Sequence, residues 1–107
     1  MIGNIYKYKN NYGAIYILTN IINNLVYIGM TRNEVLKKRL YQHYRACYDK
    51  NKFNRPLYTD ILKYKLKNFK IDILEQFEHI QTNDLRAKEK QYIQNYKKLN
   101  LCYNINN

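Results

Sequence analysis

The chain has 107 residues, one domain's worth, with 19 Lys+Arg against 8 Asp+Glu for a formal net charge of +11. Hydrophobic residues make up 46% and tyrosine alone fills 13 positions, which supports a packed core and excludes a disordered chain. Two cysteines, Cys47 and Cys102, exclude a disulfide scaffold or a zinc cluster, and no apolar run approaches the ~20 residues of a membrane span.

Met1 to Tyr12 is polar and basic and reads as an N-terminal tail, residues 1–12, ahead of a domain over 13–107. Ala14–Thr19 is β-branched and aromatic, the composition of a strand. Asn20–Asn24 has turn residues at both ends, and Leu25–Met30 is a second strand, so the two form an antiparallel hairpin. Gly29, near the end of that strand, marks a close backbone approach or a bend. Asn33–Lys50 changes period: Leu36, Leu40, Tyr44 and Cys47 recur at helical spacing, with Asn33 or Thr31 as the expected cap. A polar break over Asp49–Arg55 leads to Pro56, suited to the first turn of a second helix bearing Leu57, Ile61 and Tyr64 on one face.

Phe69–Phe77 alternates as a third strand. A third helix runs from a cap at Thr82–Asn83 to about Tyr96, with Leu85, Tyr92, Ile93 and Tyr96 as its apolar stripe, and Leu101–Ile105 closes the chain. The order is β-β-α-α-β-α: an α/β (α+β) domain with a small central three-stranded antiparallel sheet flanked by about three helices. With no signal peptide ahead of the first charged segment, the expected setting is soluble and intracellular.

The charge has two readings. One is an electrostatic footprint for nucleic acid. The other is codon bias, since Asn, Ile, Lys and Tyr all have AT-rich codons; it accounts for Lys outnumbering Arg, but less well for the scarcity of Glu and Asp.

The informative residues are polar groups set into apolar stripes. On the third helix Glu89 falls between Leu85 at i−4 and Ile93 at i+4. A carboxylate there is costly to bury unless it is paired or binds a metal; the alternative is a slightly rotated helix that lets Glu89 reach solvent. Arg39 and His43 are spaced i, i+4 and share a face that borders the Leu36–Leu40–Cys47 stripe, at the edge where helix meets sheet. Tyr16 and Tyr27 flank alternating apolar residues in adjacent strands and share a face if the hairpin turns near Asn23; packing alone also explains such a pair.

Together these residues have an order. Gly13-Ala-Ile-Tyr16, Tyr27-Ile-Gly29, Arg39-x-x-x-His43, Glu89 heading Glu-Lys-Gln-Tyr-Ile and Tyr103-Asn-Ile105 resemble the GIY-YIG nuclease domain over about residues 13–105. Ala14 stands where the first motif usually has Gly, a small change on a strand that keeps Tyr16.

The resemblance implies a divalent-metal-dependent DNA endonuclease with DNA as its partner. It implies Glu89 as ligand of one ion, Mg²⁺ or Mn²⁺, which as a hard cation takes oxygen ligands. It also implies Tyr16 as the acceptor of the attacking water's proton, Tyr27 as its orienter, Arg39 on the scissile phosphate, His43 on the phosphate or in a proton relay, and Asn104 orienting the phosphate or the site. Arg32, just after the second strand, and Asn54, ahead of the second helix, are weaker substrate-binding candidates; each also reads as a turn or capping residue. The alternative is an inactive basic nucleic-acid-binding module, or a nuclease subunit targeted by a partner. Target choice is expected from the domain's own grooves, a homodimer or a separate targeting protein.

Overall fold

The computed structural model describes residues 11–52, 54–99 and 101–104. Of the expected tail, all but Asn11 and Tyr12 lies outside these residues, as does Ile105. Strands β1 (Gly13–Asn20) and β2 (Val26–Thr31) form the hairpin, followed by helices α1 (Leu36–Ala46) and α2 (Pro56–Tyr64). A short 3₁₀ turn at Leu66–Asn68 then leads into β3 (Phe69–Phe77) and helix α3 (Thr82–Lys97). All three strands are antiparallel in the order β2-β1-β3, which makes β1 the central strand.

The period-2 alternation of β1 explains the layering. On one face Tyr16 and Leu18 pack with Cys47, Leu57, Tyr58, Ile61, Phe69 and Tyr103, under α1 and α2. On the other face Ile15 packs with Ile28, Leu85 and Ile93, under α3. A central strand covered on both sides reads as a nearly continuous apolar run, as AIYILT does. Ala14 is fully buried on it, so the sheet accepts a methyl group where a glycine was expected.

The hairpin is closed by asparagine chemistry. Asn20 Oδ1 accepts from the Ile22 N–H, Asn23 Oδ1 accepts from the Leu25 N–H, and Asn24 takes the left-handed conformation (φ 65°) that Asn tolerates. Its register sets Tyr16 opposite Gly29 and Tyr27 opposite Leu18, so the two tyrosines are diagonal neighbours on one face. Between β1 and β3 the register slips at Ile15/Tyr16, which leaves Leu74 as the extra residue beside Tyr16. Bulges of this kind re-aim side chains next to active sites.

Three expectations are corrected. Helix α1 is shorter than Asn33–Lys50, and neither Thr31 nor Asn33 caps it. Their side chains instead accept the N–H groups of Asn33 and Val35, closing two successive turns before the helix begins. Thr82 and Asn83 likewise lie inside α3, whose N-cap is Gln81 without a side-chain cap.

The C-terminal segment lies along the free edge of β2 as a short parallel bridge between Val26 and Cys102. Val26 N–H donates to the Leu101 carbonyl, and Tyr103 N–H donates to the Val26 carbonyl, both at 2.7 Å. This covers an edge that would otherwise present unpaired backbone groups. Tyr103 then donates its hydroxyl to Asp60 Oδ2 (2.6 Å) and accepts from the fully buried Asn20 (3.1 Å), fastening hairpin, α2 and C-terminal segment together.

Candidate active site

The site forms where the α1 side of the sheet meets α1 and α2. Tyr16 projects from β1 across Gly29 of β2, so that a Cβ on Gly29 would overlap the Tyr16 Oη and Cζ atoms. Glycine at this position is therefore a steric requirement for the place of the Tyr16 phenol, as its sequence position suggested. Helix α1 supplies the partners. His43 Nε2 lies 2.6 Å from Tyr16 Oη, and Arg39 Nε donates to the same oxygen at 3.0 Å. The i, i+4 spacing thus brings both side chains to one phenol. Their expected place at the helix edge holds for Arg39, which is half-buried, but His43 is only 1% exposed and lies within the core.

Tyr27 stands edge-on to the imidazole with ring centroids 5.1 Å apart, and 6.3 Å from the Tyr16 ring. The other face of the cluster is closed by Tyr58 of α2, whose hydroxyl is 3.3 Å from His43 Nδ1. Tyr58 is one tyrosine among 13, and its only mark in the sequence is its place beside Leu57 on the apolar face of α2. Both nitrogens of His43 are thereby engaged, Nε2 by Tyr16 and Nδ1 by Tyr58.

Burial sets the protonation states. It pushes the Tyr16 phenol well above its ordinary value of 10, although the Arg39 charge pulls the other way. It also pushes His43 down to about 3, with further lowering from the charges of Arg39 and Lys52. Around pH 7, His43 is a neutral imidazole and Tyr16 a neutral phenol. Tyr27 and Tyr58 are raised too, first by burial; Arg39 and Arg55 lower both. Arg55, exposed at the N-cap of α2, was not singled out in the sequence, and it adds positive charge to the same rim as Arg39 and Lys52.

Glu89 of α3 reaches the rim from the opposite layer. It is half-buried between the fully buried Leu85 and Ile93, as the helical spacing implied. Burial raises its carboxyl above the usual range, while a hydrogen bond from the Met30 backbone N–H and the charges of Arg39 and Arg86 lower it. Its negative charge is also felt by Tyr27. Among the described residues no group of three or more His, Cys, Asp or Glu side chains gathers around a common point.

The remaining candidates have other partners. Asn104 Nδ2 donates to the Ile28 carbonyl (2.8 Å) and its Oδ1 accepts the Ile28 N–H (2.9 Å). The amide thus mimics a strand residue pairing with β2 between Tyr27 and Gly29. Arg32 donates to the carbonyls of Tyr12 and Ile80 and to Thr82 Oγ1, which ties the start of β1 to the loop before α3. Asn54 is exposed in a separate hollow with Leu25, Pro56, Thr59, Asp60, Cys102 and Tyr103, and the α2 cap position beside it belongs to Arg55. His79 is exposed in the hollow that Arg32 also lines.

The GIY-YIG catalytic-domain family model matches residues 12–104. The chain belongs to the GIY-YIG family. It is a nuclease domain, and hydrolysis of phosphodiester bonds is the activity of that family. The fold agrees with two solved structures. One, a mutant of the catalytic domain of the intron endonuclease I-TevI, superposes with a TM-score of 0.71 at 22% identity, covering 89% of this chain and 94% of that one. The other, the catalytic domain of the homing endonuclease I-TevI, gives 0.68 at 23% identity, covering 89% and 99%. No curated protein sequence matches the chain. Among the described residues no helix is long and apolar enough to cross a membrane.

Proposed function

We propose that this GIY-YIG domain is a divalent-metal-dependent DNA endonuclease in which Tyr16 receives the proton of the attacking water and passes its own to His43. The observation that carries this reading is the Tyr16 hydroxyl held 2.6 Å from a neutral, fully buried imidazole. A phenol whose affinity for its proton is raised by burial is a poor base when it works by ionising first. It works as a relay: as the water proton arrives on Oη, the phenolic proton leaves for the Nε2 lone pair. Tyr58 fits that direction, because its hydroxyl oxygen, 3.3 Å from Nδ1, is placed to accept from the tautomer that carries its proton on Nδ1 and leaves Nε2 free.

Substrate charge makes the relay easier. The Arg39 cation is one cause of the low proton affinity of His43. A scissile phosphate drawn to Arg39 neutralises that cation's effect and raises the proton affinity of the imidazole when it must accept. Tyr16 has no exposed surface while Arg39 Nε rests on its hydroxyl. A turn of the Arg39 fork toward the phosphate frees the Oη lone pair that now accepts from Nε to accept from the water instead. Arg39 then stabilises the charge that builds on the phosphoryl oxygens. Tyr27, edge-on to His43, orients the ring pair, and Asn104 holds the β2 backbone from which Tyr27 projects.

Glu89 fits a single hard cation. It is a half-buried carboxylate held by a backbone N–H, and among the described residues no ligand cluster of an all-protein cage surrounds it. Such a donor suits an ion like Mg²⁺ that keeps most of its waters. A divalent ion at Glu89 would supply Lewis-acid charge stabilisation to the phosphate and the leaving oxygen.

Plasmid cleavage tests the reading. The purified protein nicks or linearises supercoiled DNA with Mg²⁺ and stops on chelation, and Glu89→Gln lowers the rate by about 10²-fold or more. Cleavage that persists in chelator, or an unchanged Glu89→Gln rate, removes the metal assignment.

A further inference from the structure

We propose that the outward face of α1 is a seat for the backbone of the DNA strand flanking the scissile phosphate, with Lys38 and Arg45 on its phosphates and Tyr41 against its sugars. This rests on the endonuclease reading and adds where the substrate is held beyond the reacting group. The α1 sequence LKKRLYQHYRA carries four permanent cations and no acidic residue. Its inner side presents Arg39 and His43 to Tyr16. On its outer side Lys37, Lys38, Tyr41, Gln42 and Arg45 line a shallow hollow of about 450 Å³.

Tyr41 is 60% exposed there, a large ring in water beside the cations Lys37, Lys38 and Arg45 and the amide of Gln42. A polyanion matches the charges, and tyrosines that contact sugar and phosphate are a regular part of DNA interfaces.

The surface is continuous with the reacting centre. Stepping around the helix at about 100° per residue, Gln42, Lys38, Arg45 and Tyr41 follow one another outward from Arg39. Arg39 Nη1 already donates to Gln42 Oε1 at 3.0 Å, linking the phosphate-binding fork to the first residue of that band. Lys38 and Arg45 lie seven residues apart, about 10.5 Å along the axis, far enough for the two cations to meet different phosphates of one strand. A strand laid along this band beside Arg39 meets Lys38 on one side of Gln42 and Arg45 on the other.

The test is duplex DNA binding across a salt series, in chelator so that cleavage does not interfere, followed by steady-state cleavage with Mg²⁺. Neutralising two phosphate contacts in Lys38→Gln/Arg45→Gln reduces the slope of log Kobs against log salt by about 1.8. Tyr41→Ala weakens binding at an unchanged slope, and in both variants the loss of cleavage falls on KM rather than kcat. An unchanged slope in the double variant overturns the proposal, as does a loss confined to kcat. If the double variant shows this slope change while the wild-type protein never cuts DNA, the α1 seat is upheld and the endonuclease reading alone fails.

Discussion

His43 is 1% exposed, and its imidazole is pushed down to about 3 from an unfolded value of 6.5, so acid should weaken the fold through this side chain. In the folded protein the ring stays neutral through the interval from 6.5 to about 3, whereas in the unfolded chain it charges. The unfolded state therefore binds more protons, and stability falls as pH drops below 6.5 until the folded pKa is reached. At 1.36 kcal/mol per pH unit, the step from pH 7 to pH 5 costs about 2 kcal/mol, and the full interval about 5 kcal/mol. Glu89, whose carboxyl is raised in the fold, works in the opposite direction nearer its own range, so the His43 share must be isolated by difference. Urea unfolding of the wild type and of His43→Gln at pH 7 and pH 5 does this. The wild type is expected to lose about 2 kcal/mol more than the variant over that step. Parallel losses would mean that the imidazole is not held neutral, and the proton relay would lose its acceptor.

Three further outcomes are expected. Gly29→Ala forces the new methyl group against the end of the Tyr16 ring, and should cost about 1–3 kcal/mol in thermal unfolding together with most of the cleavage rate. Asn104→Ala leaves the Ile28 N–H and carbonyl without their partners; about 1–3 kcal/mol of stability should be lost, with amide exchange at Ile28 rising more than at Ile15 on the central strand. Tyr58→Phe removes the partner of His43 Nδ1 at a stability cost of about 1 kcal/mol; it should lower kcat and move the pH–rate profile, whereas a variant with the wild-type profile would show that Tyr58 only fills space.

The strands were the most legible part of the sequence. The bounds Phe69–Phe77 match β3, although its alternation breaks at the Leu74 bulge and leaves Ile73 exposed, and the Asn-rich turn between the first two strands forms the hairpin through the side chains that suggested it. Gly29 was readable as a close approach, although which ring approaches it depends on the hairpin register, set by a turn whose length sequence period does not define.

Helix starts were less legible. Thr31 and Asn33 have capping chemistry, but they spend it on turns one step earlier, a competition between local hydrogen bonds that residue type cannot resolve. The paired face of Arg39 and His43 was plain from their spacing. The depth of His43 was not, because it depends on α2 closing over it with Tyr58. Tyr58 itself was hidden by composition: in a chain with 13 tyrosines, one more on an apolar helix face carries no distinguishing mark. Asn104 and Arg32 have partners far away in sequence, across 76 and 48 residues, which no local pattern reports.

In the proposed mechanism proton transfer through Tyr16 drives phosphodiester hydrolysis, and single-turnover cleavage by Tyr16→Phe measures that step. The variant keeps the ring that fills the space over Gly29 and removes only the oxygen that touches His43 and Arg39. With Mg²⁺ and saturating DNA, its rate should fall by about 10²–10⁴-fold relative to the wild type while DNA binding is retained. A Tyr16→Phe protein that folds, binds DNA and cuts it at the wild-type rate would contradict the account.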